Sequence, residues 1–446
     1  MKGGDILDLK VEKLTYKGAG LAKVEGFAVF VKGSCPGDLL RVQIVKANKN
    51  FATARILEIL EPSEHRVKPF CPLFNACGSC HWQFVDYDFA LLQKQLIIKE
   101  ALRGEYSVPP VLKSPKTQEY RFKAQCPVGE TKVSKRLLVG YFKEGSHEIT
   151  DIKYCPIQPR VFDEIFDYVR KNWTLGAYNE KTGKGLLRHA VLRGSSASKK
   201  ESSALLTLVL NSDKLFQKQR EEIEKFLKGA PLASGCSINY NPKKTNTIFG
   251  DKFEHISGAE HILEKIKSKS YIISPQSFFQ INPSAAAVLF DEVKKHIKQD
   301  SSVLDAYGGV GAFGIWVSDI AKNIVLVEES EQAVKNAKEN FKLNECKSYE
   351  VFLGNAKERF KEFSRNKRFF DHVILDPPRS GCEREVLEVL STITNSVIYV
   401  SCNPQTLARD VKILEGKGLE CETVQGVDMF PHTYHIECVA NLVRRA

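Results

Sequence analysis

Three side chains with reactive or ionisable groups stand at the ends of apolar runs in the C-terminal part of the chain. Cys402 follows the run VIYVS and precedes Asn403-Pro404, and Asp376 follows VIL in VILDPPRSG. Glu437 begins the run ECVANLV. Apolar, β-branched runs bounded by turn residues predict strands. The sequence therefore predicts a thiol and two carboxylates at strand ends, where a thiolate can act as a covalent nucleophile and a carboxylate as a general base.

This set of side chains is suited to substitution at C5 of a pyrimidine, which is too weak a nucleophile to attack a methyl sulfonium directly. Addition of the Cys402 thiolate to C6 creates an enolate that can attack through C5. A base must then remove the C5 proton so that the thiol can leave, and Glu437 is the candidate. A cysteine considered alone is more often buried and inert, but the neighbouring Asn403-Pro404, Asp376 and Glu437 favour a nucleophile.

A glycine-rich turn predicts a cofactor site in the same region. In VLDAYGGVGAFG a predicted strand ends at Asp305, and Gly308, Gly309 and Gly311 allow a ligand to approach the backbone closely. Glu328, at the end of the next predicted strand, can accept hydrogen bonds from both hydroxyls of a ribose. These features fit NAD, FAD and S-adenosylmethionine alike. The stiff Asp-Pro-Pro turn at Asp376 favours the last, because it is common in methyltransferases and unexpected in dehydrogenases.

The cysteines of CPLFNACGSC have the spacing of a metal site. Cys71, Cys77 and Cys80 lie within ten residues of one another, and Cys155 in KYCPIQP is the candidate for a fourth ligand. Four thiolates suit either zinc or an iron–sulfur cluster, and the spacing leaves both open.

Composition favours a cytosolic protein with a polyanionic partner. The chain has 446 residues with 65 Lys and Arg against 54 Asp and Glu, a net charge of +11 that favours nucleic acid. No apolar run approaches the length of a membrane span, and the N-terminal residues lack the apolar core of a secretory signal. We therefore expect no membrane partner and a cytoplasmic protein, in which the cysteines are not a disulfide framework.

The elements that must position these residues fall into three predicted domains. Residues 1–62 contain five apolar runs punctuated by glycine turns, which predicts a small β-barrel of the kind that binds nucleic acid. Residues 63–270 mix helical and strand patterns and predict an α+β domain carrying the cysteine loop. Residues 271–446 alternate strands and helices, which predicts an α/β doubly wound parallel sheet with an antiparallel strand at its edge.

The motifs SCNPQTLARD, DPPRSG, FFQINP and VDMFPHTYHIECVANL together resemble those of the RNA uracil-C5 methyltransferases, which make 5-methyluridine in ribosomal and transfer RNA. The resemblance covers nearly the whole chain. The stretch KGAGLAKVEGFAVFVKGSCPGD resembles the TRAM domain, a small RNA-binding barrel of the OB type. The resemblance implies a Rossmann-like S-adenosylmethionine-dependent methyltransferase domain. It also implies that Cys71, Cys77, Cys80 and Cys155 hold a [4Fe–4S] cluster.

The resemblance further assigns roles to individual residues. It implies that Cys402 is the nucleophile, that Glu437 is the base, and that Asp376 lies between the cofactor and the target base. The residues implied to bind S-adenosylmethionine are Gln280 of FFQINP, Tyr307, Glu328, Asn355 of FLGNAKE, and Asp376. One departure is Ala312, where family members often carry a polar residue that contacts the cofactor.

We expect the substrate to be 23S ribosomal RNA, because the family members with both a TRAM domain and a cluster include those that act on it. Transfer RNA is the alternative substrate, and a non-catalytic RNA-binding or ribosome-assembly factor is the alternative of a different class. A cytosine-C5 methyltransferase, an amino-group methyltransferase and a radical enzyme fit the motifs less well, since the first needs a differently placed cysteine, the second needs no Cys402, and the third leaves one iron open. The target uridine must be flipped or already unpaired, and we expect the chain to act as a monomer.

Overall fold

A computed structural model describes residues 1–197, 204–230 and 232–445. The chain divides into two compact units. The first unit contains residues 1–74, 80–115 and 375–446, and the second contains residues 75–79 and 116–374. No helix in the described part of the chain is long and apolar enough to cross a membrane. The domain ranges 1–62, 63–270 and 271–446 stay predictions.

The strands are, in chain order, β1 Ile6–Lys10, β2 Lys13–Leu14, β3 Gly20–Val24, β4 Phe27–Val31, β5 Leu39–Ala47, β6 Phe51–Glu61, β7 Lys123–Glu130, β8 Leu137–Phe142, β9 Ile149–Asp151, β10 Leu187–Gly194, β11 Ala204–Leu210, β12 Gly235–Tyr240, β13 Lys252–Gly258, β14 Ile262–Ile266, β15 Lys269–Ile273, β16 Ser301–Ala306, β17 Ala321–Glu328, β18 Tyr349–Leu353, β19 His372–Leu375, β20 Ser396–Ser401, β21 Glu420–Val427 and β22 Glu437–Val443. The helices are α1 Tyr87–Ala101, α2 Arg160–Asn172, α3 Gln217–Lys228, α4 Pro283–Lys294, α5 Ala312–Val317, α6 Glu331–Leu343, α7 Ala356–Arg365, α8 Arg384–Ile393 and α9 Pro404–Glu415.

In the first unit, β1 to β6 form one sheet in the order β1-β5-β6-β4-β3-β2. Alternate residues point into a core that includes Leu9, Val29 and Val42, as expected for strands with one buried face. The carboxylate of Asp38 is fully buried and accepts hydrogen bonds from the Arg66 guanidinium at 2.7 Å and from backbone amides. This buried pair anchors the turn that follows β4 to the chain leaving β6.

Also in the first unit, β20, β22 and β21 are neighbours in that order, and both pairs are antiparallel. The sequence predicted an antiparallel strand at the edge of the sheet. In the structure the antiparallel strand is β22, and it lies between β20 and β21. The burial patterns give the reason: all but the last residue of β22 is buried, whereas the first half of β21 alternates between exposed and half-buried residues. A strand that is buried on both faces needs neighbours on both sides, and the polar strand tolerates the edge.

In the second unit, a mostly antiparallel sheet has the strand order β13-β12-β11-β10-β7-β8-β9. Every described residue of β11 and β12 is buried, and these two strands pair in parallel. Helices α2 and α3 pack on this sheet, against β8 and β13 respectively. The same unit contains the parallel strands β18, β17 and β16, in that order, with α5, α6 and α7 packed against them. Ligands of such parallel sheets bind at the carboxyl ends of the strands.

Candidate active site

Cys402 and Glu437 are brought together by the pairing of β20 with β22. Ser401, the last residue of β20, lies opposite Cys438. Because the two strands are antiparallel, Cys402, which follows Ser401, lies beside Glu437, which precedes Cys438. Helix α9 begins at Pro404, and the Asn403 side chain caps it by accepting a hydrogen bond from the Gln405 amide at 3.1 Å. The thiol therefore stands in a tight turn between a buried strand and a helix, as the sequence predicted.

The surroundings of Cys402 disfavour its ionised form in the ligand-free protein. Burial raises the pKa of the Cys402 thiol to about 11, and the charge of Glu437 contributes to the rise. Burial also raises the pKa of Glu437 well above its usual range, with a further contribution from Asp376. Arg379 opposes both shifts, and its guanidinium also hydrogen-bonds the thiol. Cys402, Glu437, Asp376 and Arg379 thus form one electrostatic cluster, in which Arg379 is the stabilising cation.

Arg379 is a site residue that sequence reasoning did not select. Its guanidinium lies 2.9 Å from Nδ1 of His435. Its backbone carbonyl accepts hydrogen bonds from the Asn403 side-chain amide at 3.3 Å and from the Thr406 hydroxyl at 3.4 Å. The sequence signal for Arg379 was its position in DPPRSG, where it is a cation directly after the Asp-Pro-Pro turn.

An aromatic cluster adjoins the thiol, and sequence reasoning missed it as well. The Tyr434 ring lies 4.4 Å from that of His81, 4.3 Å from that of His435 and 6.0 Å from that of Tyr16. Burial is the main cause of the raised pKa of Tyr16, which Arg379 lowers and Cys402 raises. The turn between β2 and β3 therefore lies near the electrostatic cluster. The barrel turn is held there partly by the hydrogen bond of 3.0 Å from the Trp82 indole to the Gly18 carbonyl.

The segment that leads into β22 rests on a buried ion pair. The Lys94 ammonium donates to Asp428 at 2.6 Å, and the Tyr87 hydroxyl donates to the other oxygen of the same carboxylate at 2.9 Å. Lys94 and Asp428 are almost fully buried. Since removing one partner of a buried pair costs about 3–5 kcal/mol, this pair fixes the chain that carries His435 and Glu437.

The glycine turn after β16, in the second unit, has the backbone of a ligand cradle. Tyr307, Gly309 and Gly311 all have positive φ values, of 61°, 54° and 87°. The Glu328 carboxylate accepts hydrogen bonds from the amides of Gly309 at 3.0 Å and Ser330 at 2.8 Å. These bonds fix the carboxylate at the carboxyl end of β17, where a ribose would be bound in this kind of fold.

A buried carboxyl group with an unused oxygen lies beside this turn. Asp305 is fully buried; its Oδ2 accepts a hydrogen bond of 2.8 Å from the Gly314 amide, whereas its Oδ1 has no partner. Burial raises the pKa of Asp305 to about 7. An orphaned buried acceptor is costly unless a ligand satisfies it, so the residues of this turn fit a cofactor with hydrogen-bond donors, as S-adenosylmethionine has.

The other predicted cofactor residues are also in the second unit. Gln280 is buried and immediately precedes the segment that caps α4. Asn355 caps α7 by accepting a hydrogen bond of 2.9 Å from the Lys357 amide. Ala312 is the first residue of α5, and its carbonyl accepts a hydrogen bond of 3.3 Å from the Tyr271 hydroxyl. Phe278, which the sequence reasoning passed over, exposes 62% of its surface two residues before Gln280.

The four predicted cluster ligands are divided between the two units. Cys71 and Cys80 belong to the first unit, and Cys77 and Cys155 to the second. The charges of Cys77 and Cys155 both raise the pKa of buried Cys126, a cysteine that sequence reasoning did not select, although burial is the larger cause. Within residues 1–197, 204–230 and 232–445, no three His, Cys, Asp or Glu side chains are placed together as a metal site. The four-cysteine site stays a prediction.

Comparison with known proteins places the chain in a family. Residues 252–445 match the family model for tRNA (uracil-5-)-methyltransferase, and residues 2–57 match that of the TRAM domain. An RNA methyltransferase of Halalkalibacterium halodurans is 36% identical over 98% of this chain and 97% of its own length. One from Bacillus cereus is 35% identical over 99% of this chain and 97% of its own.

A solved structure gives the same result. The tRNA (uracil-54, C5)-methyltransferase of Pyrococcus abyssi, in complex with S-adenosyl-L-homocysteine, matches 98% of this chain and 100% of its own with a TM-score of 0.77 and 27% identity. This match confirms the fold class, with a TRAM barrel of strands and an S-adenosylmethionine-dependent methyltransferase fold. Since relatives match from end to end and both family models fit, the chain belongs to the RNA uracil-5-methyltransferase family and is an S-adenosylmethionine-dependent RNA methyltransferase.

Proposed function

We propose that the protein makes 5-methyluridine by methylating C5 of a uridine in RNA through a covalent adduct with Cys402. The observation that carries the proposal is the pairing of β20 with β22, which sets Cys402 beside Glu437 within the electrostatic cluster of Asp376 and Arg379. A nucleophile and a base of this kind are both needed for substitution at C5, whereas methylation of an amino group needs neither a thiol nor this pairing.

Each step assigns a task to one side chain. Cys402 reacts as the thiolate: its Sγ–C6 bond forms while the C5–C6 π electrons move towards the C4 carbonyl, and the resulting enolate takes the methyl group at C5. Glu437, ionised beside the Arg379 cation, then accepts the C5 proton, and the electrons of the C5–H bond restore the double bond as the Sγ–C6 bond breaks and the thiolate leaves. Arg379 stabilises the anionic forms of both side chains, because its charge lowers the pKa of each.

S-adenosylmethionine would supply the methyl group: the bond between its methyl carbon and its sulfonium sulfur would break, and S-adenosylhomocysteine would leave as the neutral thioether. We propose that Gln280, Tyr307, Glu328 and Asn355 hold it, with Asp376 also in contact. Support comes from the orphaned Oδ1 of Asp305, which calls for a donor beside the glycine turn, and from the fixed Glu328 carboxylate.

We propose that the barrel of residues 1–62 guides the RNA to Cys402. A groove of about 580 Å³ in the first unit runs from the barrel to Pro404 and Gln405, which follow the nucleophile closely in the chain. Its walls include Phe30 and Phe51, whose rings meet edge to face at 5.7 Å. Aromatic rings beside basic side chains suit unpaired bases and their phosphates.

The favoured substrate is 23S ribosomal RNA, on the architectural ground that a TRAM domain accompanies a four-cysteine motif. Transfer RNA is the second candidate, because the similar enzyme from Pyrococcus abyssi is a tRNA (uracil-54, C5)-methyltransferase. We propose a cytoplasmic location, since a thiol nucleophile and a cysteine-rich loop both require reducing conditions. We also propose that the enzyme acts as a monomer.

Release of tritium from RNA labelled at uracil C5 tests the reaction and the substrate together. Incubation of the protein and S-adenosylmethionine with unmodified, labelled 23S ribosomal RNA or transfer RNA should release tritium into water, because the C5 proton leaves during elimination. The RNA that is the substrate should release one tritium from each uracil that gains a methyl group. Omission of the cofactor is the control. Absence of release from both RNAs, with methyl transfer still occurring, would contradict substitution at uracil C5.

We propose further that Cys71, Cys77, Cys80 and Cys155 hold a [4Fe–4S] cluster. Support comes from the donor chemistry of four thiols, three of them closely spaced in the sequence. Cys155 and Cys77 also each add to the rise that burial causes in the pKa of Cys126.

Protein purified without oxygen should therefore contain about four irons per chain and be brown. Cys155→Ser should lose most of the iron because one ligand is removed, whereas Cys346→Ser, outside the motif, should retain it. Elemental analysis and the visible absorption spectrum measure both. Zinc in place of iron, or iron that survives Cys155→Ser, would refute the assignment.

A further inference from the structure

The second unit contains a cavity that the proposed reaction does not use. Its volume is about 880 Å³, and it opens between β7, β8, β10 and the loop of residues 177–181. This volume lies within the range of pockets that bind small molecules, roughly 300–1,000 Å³. Pockets of this size are usually lined by apolar and aromatic groups with a few polar groups that fix the ligand.

A β-bulge aims two polar side chains into this cavity. Between β10 and β11, Leu187 pairs with Leu210 but His189 pairs with Val209, so that Arg188 is an extra residue in β10. Successive residues of a regular strand point to opposite faces, whereas a bulge re-aims its side chains. Arg188 and His189 both line the cavity.

Arg188 carries a buried charge that is only partly satisfied. Arg188 is 7% exposed, and its guanidinium donates to the carbonyls of Asn241 at 2.7 Å, Lys243 at 2.6 Å and Thr245 at 3.3 Å. Its Nε has no hydrogen-bond partner. Across the described part of the chain no carboxylate pairs with this cation. A buried donor left unmet destabilises the fold, which indicates a group that accepts from it in the bound state.

His189 provides a second buried nitrogen without a hydrogen-bond partner. Its Nδ1 is buried without a partner. Burial lowers the pKa of His189 to about 4, and the charge of Arg188 contributes, so the ring is neutral near pH 7. A neutral imidazole has one donor and one acceptor nitrogen, and with the Nε–H of Arg188 it presents a polar edge of the kind that matches a nucleobase.

The walls and the rim of the cavity also fit a nucleotide. The Arg188 guanidinium lies 4.9 Å from the centre of the Tyr178 ring, and the rings of Phe142 and His147 stack at 5.0 Å. Exposed lysines at the rim, which can contact phosphates, are Lys132, Lys135 and Lys181. The three carboxylates of the lining each have a partner within the protein: Glu148 pairs with Lys143, Glu180 pairs with His147, and Glu130 accepts a hydrogen bond from the Ala177 amide. Aromatic faces with nearby cations are the usual means of holding unpaired bases.

We propose that this cavity binds an unpaired nucleotide of the RNA substrate other than the methylated uridine. The base lies against Tyr178 or the Phe142–His147 pair and accepts a hydrogen bond from Arg188 Nε, while the rim lysines contact its phosphates. The inference rests on the proposed function only in taking RNA as the substrate. It adds a second contact that anchors the RNA at a distance in sequence from the target.

Irradiation of the full-length protein with RNA, followed by mass spectrometry of the cross-linked peptides, tests the proposal. Unmodified 23S ribosomal RNA and transfer RNA transcripts are the probes. Ultraviolet light should join a nucleotide to the peptide that contains Tyr178 or to the one that contains Phe142 and His147. Cross-links elsewhere in the chain with none on these peptides would overturn the proposal.

Binding measurements with matched variants give the second readout. Tyr178→Ala should raise the Kd for RNA about 10-fold, as expected when a base loses its aromatic stack. Lys132→Ala with Lys135→Ala, at exposed positions, should lower the slope of log Kd against log salt by about one to two. The controls are Phe369→Ala, an exposed aromatic outside the cavity, and Lys218→Ala with Lys228→Ala on α3. Affinities that match those of the controls would overturn the proposal.

Failure of this inference can be told apart from failure of the proposed function. Tritium release by the wild-type protein without cavity cross-links would remove the cavity site and leave uracil methylation intact. Cavity cross-links from an RNA that gains methyl groups without tritium release would support the site and refute methylation at C5.

Discussion

Cys402→Ala should lower the methylation of RNA by at least about 10³-fold, because without a nucleophile C5 does not become reactive enough to take the methyl group. Affinity for RNA should change by no more than about twofold, since affinity comes mainly from phosphate contacts. The substitution removes a half-buried sulfur at the end of β20 and leaves the strand pairing of Ser401 with Cys438 in place. Methyl transfer from radioactive S-adenosylmethionine and a filter-binding assay measure the two quantities.

Cys421→Ala is the matched control for this experiment. Cys421 lies on β21 in the same unit and is likewise half-buried, and its thiol hydrogen-bonds the Thr423 carbonyl of the same strand. This variant should methylate at nearly the wild-type rate. A Cys402→Ala protein that retained a substantial methylation rate would eliminate Cys402 as the nucleophile, and loss of activity in both variants would point to a structural effect.

Glu437→Gln should accumulate a covalent protein–RNA adduct. The amide cannot accept the C5 proton, so the reaction stops after methyl transfer with the Cys402 Sγ–C6 bond still intact. Glutamine has nearly the same shape as glutamic acid, and Glu437 is buried with a raised pKa, so the uncharged side chain suits the site. Denaturing gel electrophoresis with labelled RNA should show a band of reduced mobility, while turnover falls by at least about 10²-fold.

Two further variants are the controls for Glu437→Gln. Glu422→Gln changes an exposed glutamate on β21 whose carboxylate accepts a hydrogen bond from Asn441, and it should neither trap RNA nor slow turnover. Glu437→Gln combined with Cys402→Ala should form no adduct, because the linking atom is absent. A single Glu437→Gln variant that turns over normally, or that loses turnover without any trapped RNA, would exclude Glu437 as the base.

The sequence by itself determined the fold class and the family. The run VLDAYGGVGAFG predicted a strand, a tight glycine turn and a helix, and the structure has β16, a turn with three positive φ values and α5 at these positions. Such elements follow from local properties, namely the periodicity of apolar residues and the conformations that glycine allows. The comparisons confirmed the methyltransferase fold and the TRAM domain. The roles of Cys402, Glu437 and the cofactor residues stay predictions.

Only the tertiary structure decided which distant residues meet. Insertion of β22 between β20 and β21 brings Glu437 beside Cys402, and packing of the barrel brings Tyr16 to the same cluster. In that cluster the charge of Arg379 opposes the rise in the pKa of Cys402. In the second unit, a bulge of one residue directs the Arg188 side chain into a cavity. Strand order and register depend on which buried faces pack together over long sequence separations. A local sequence pattern determines which residues of a strand alternate between its two faces, but it does not determine which strand lies next to it.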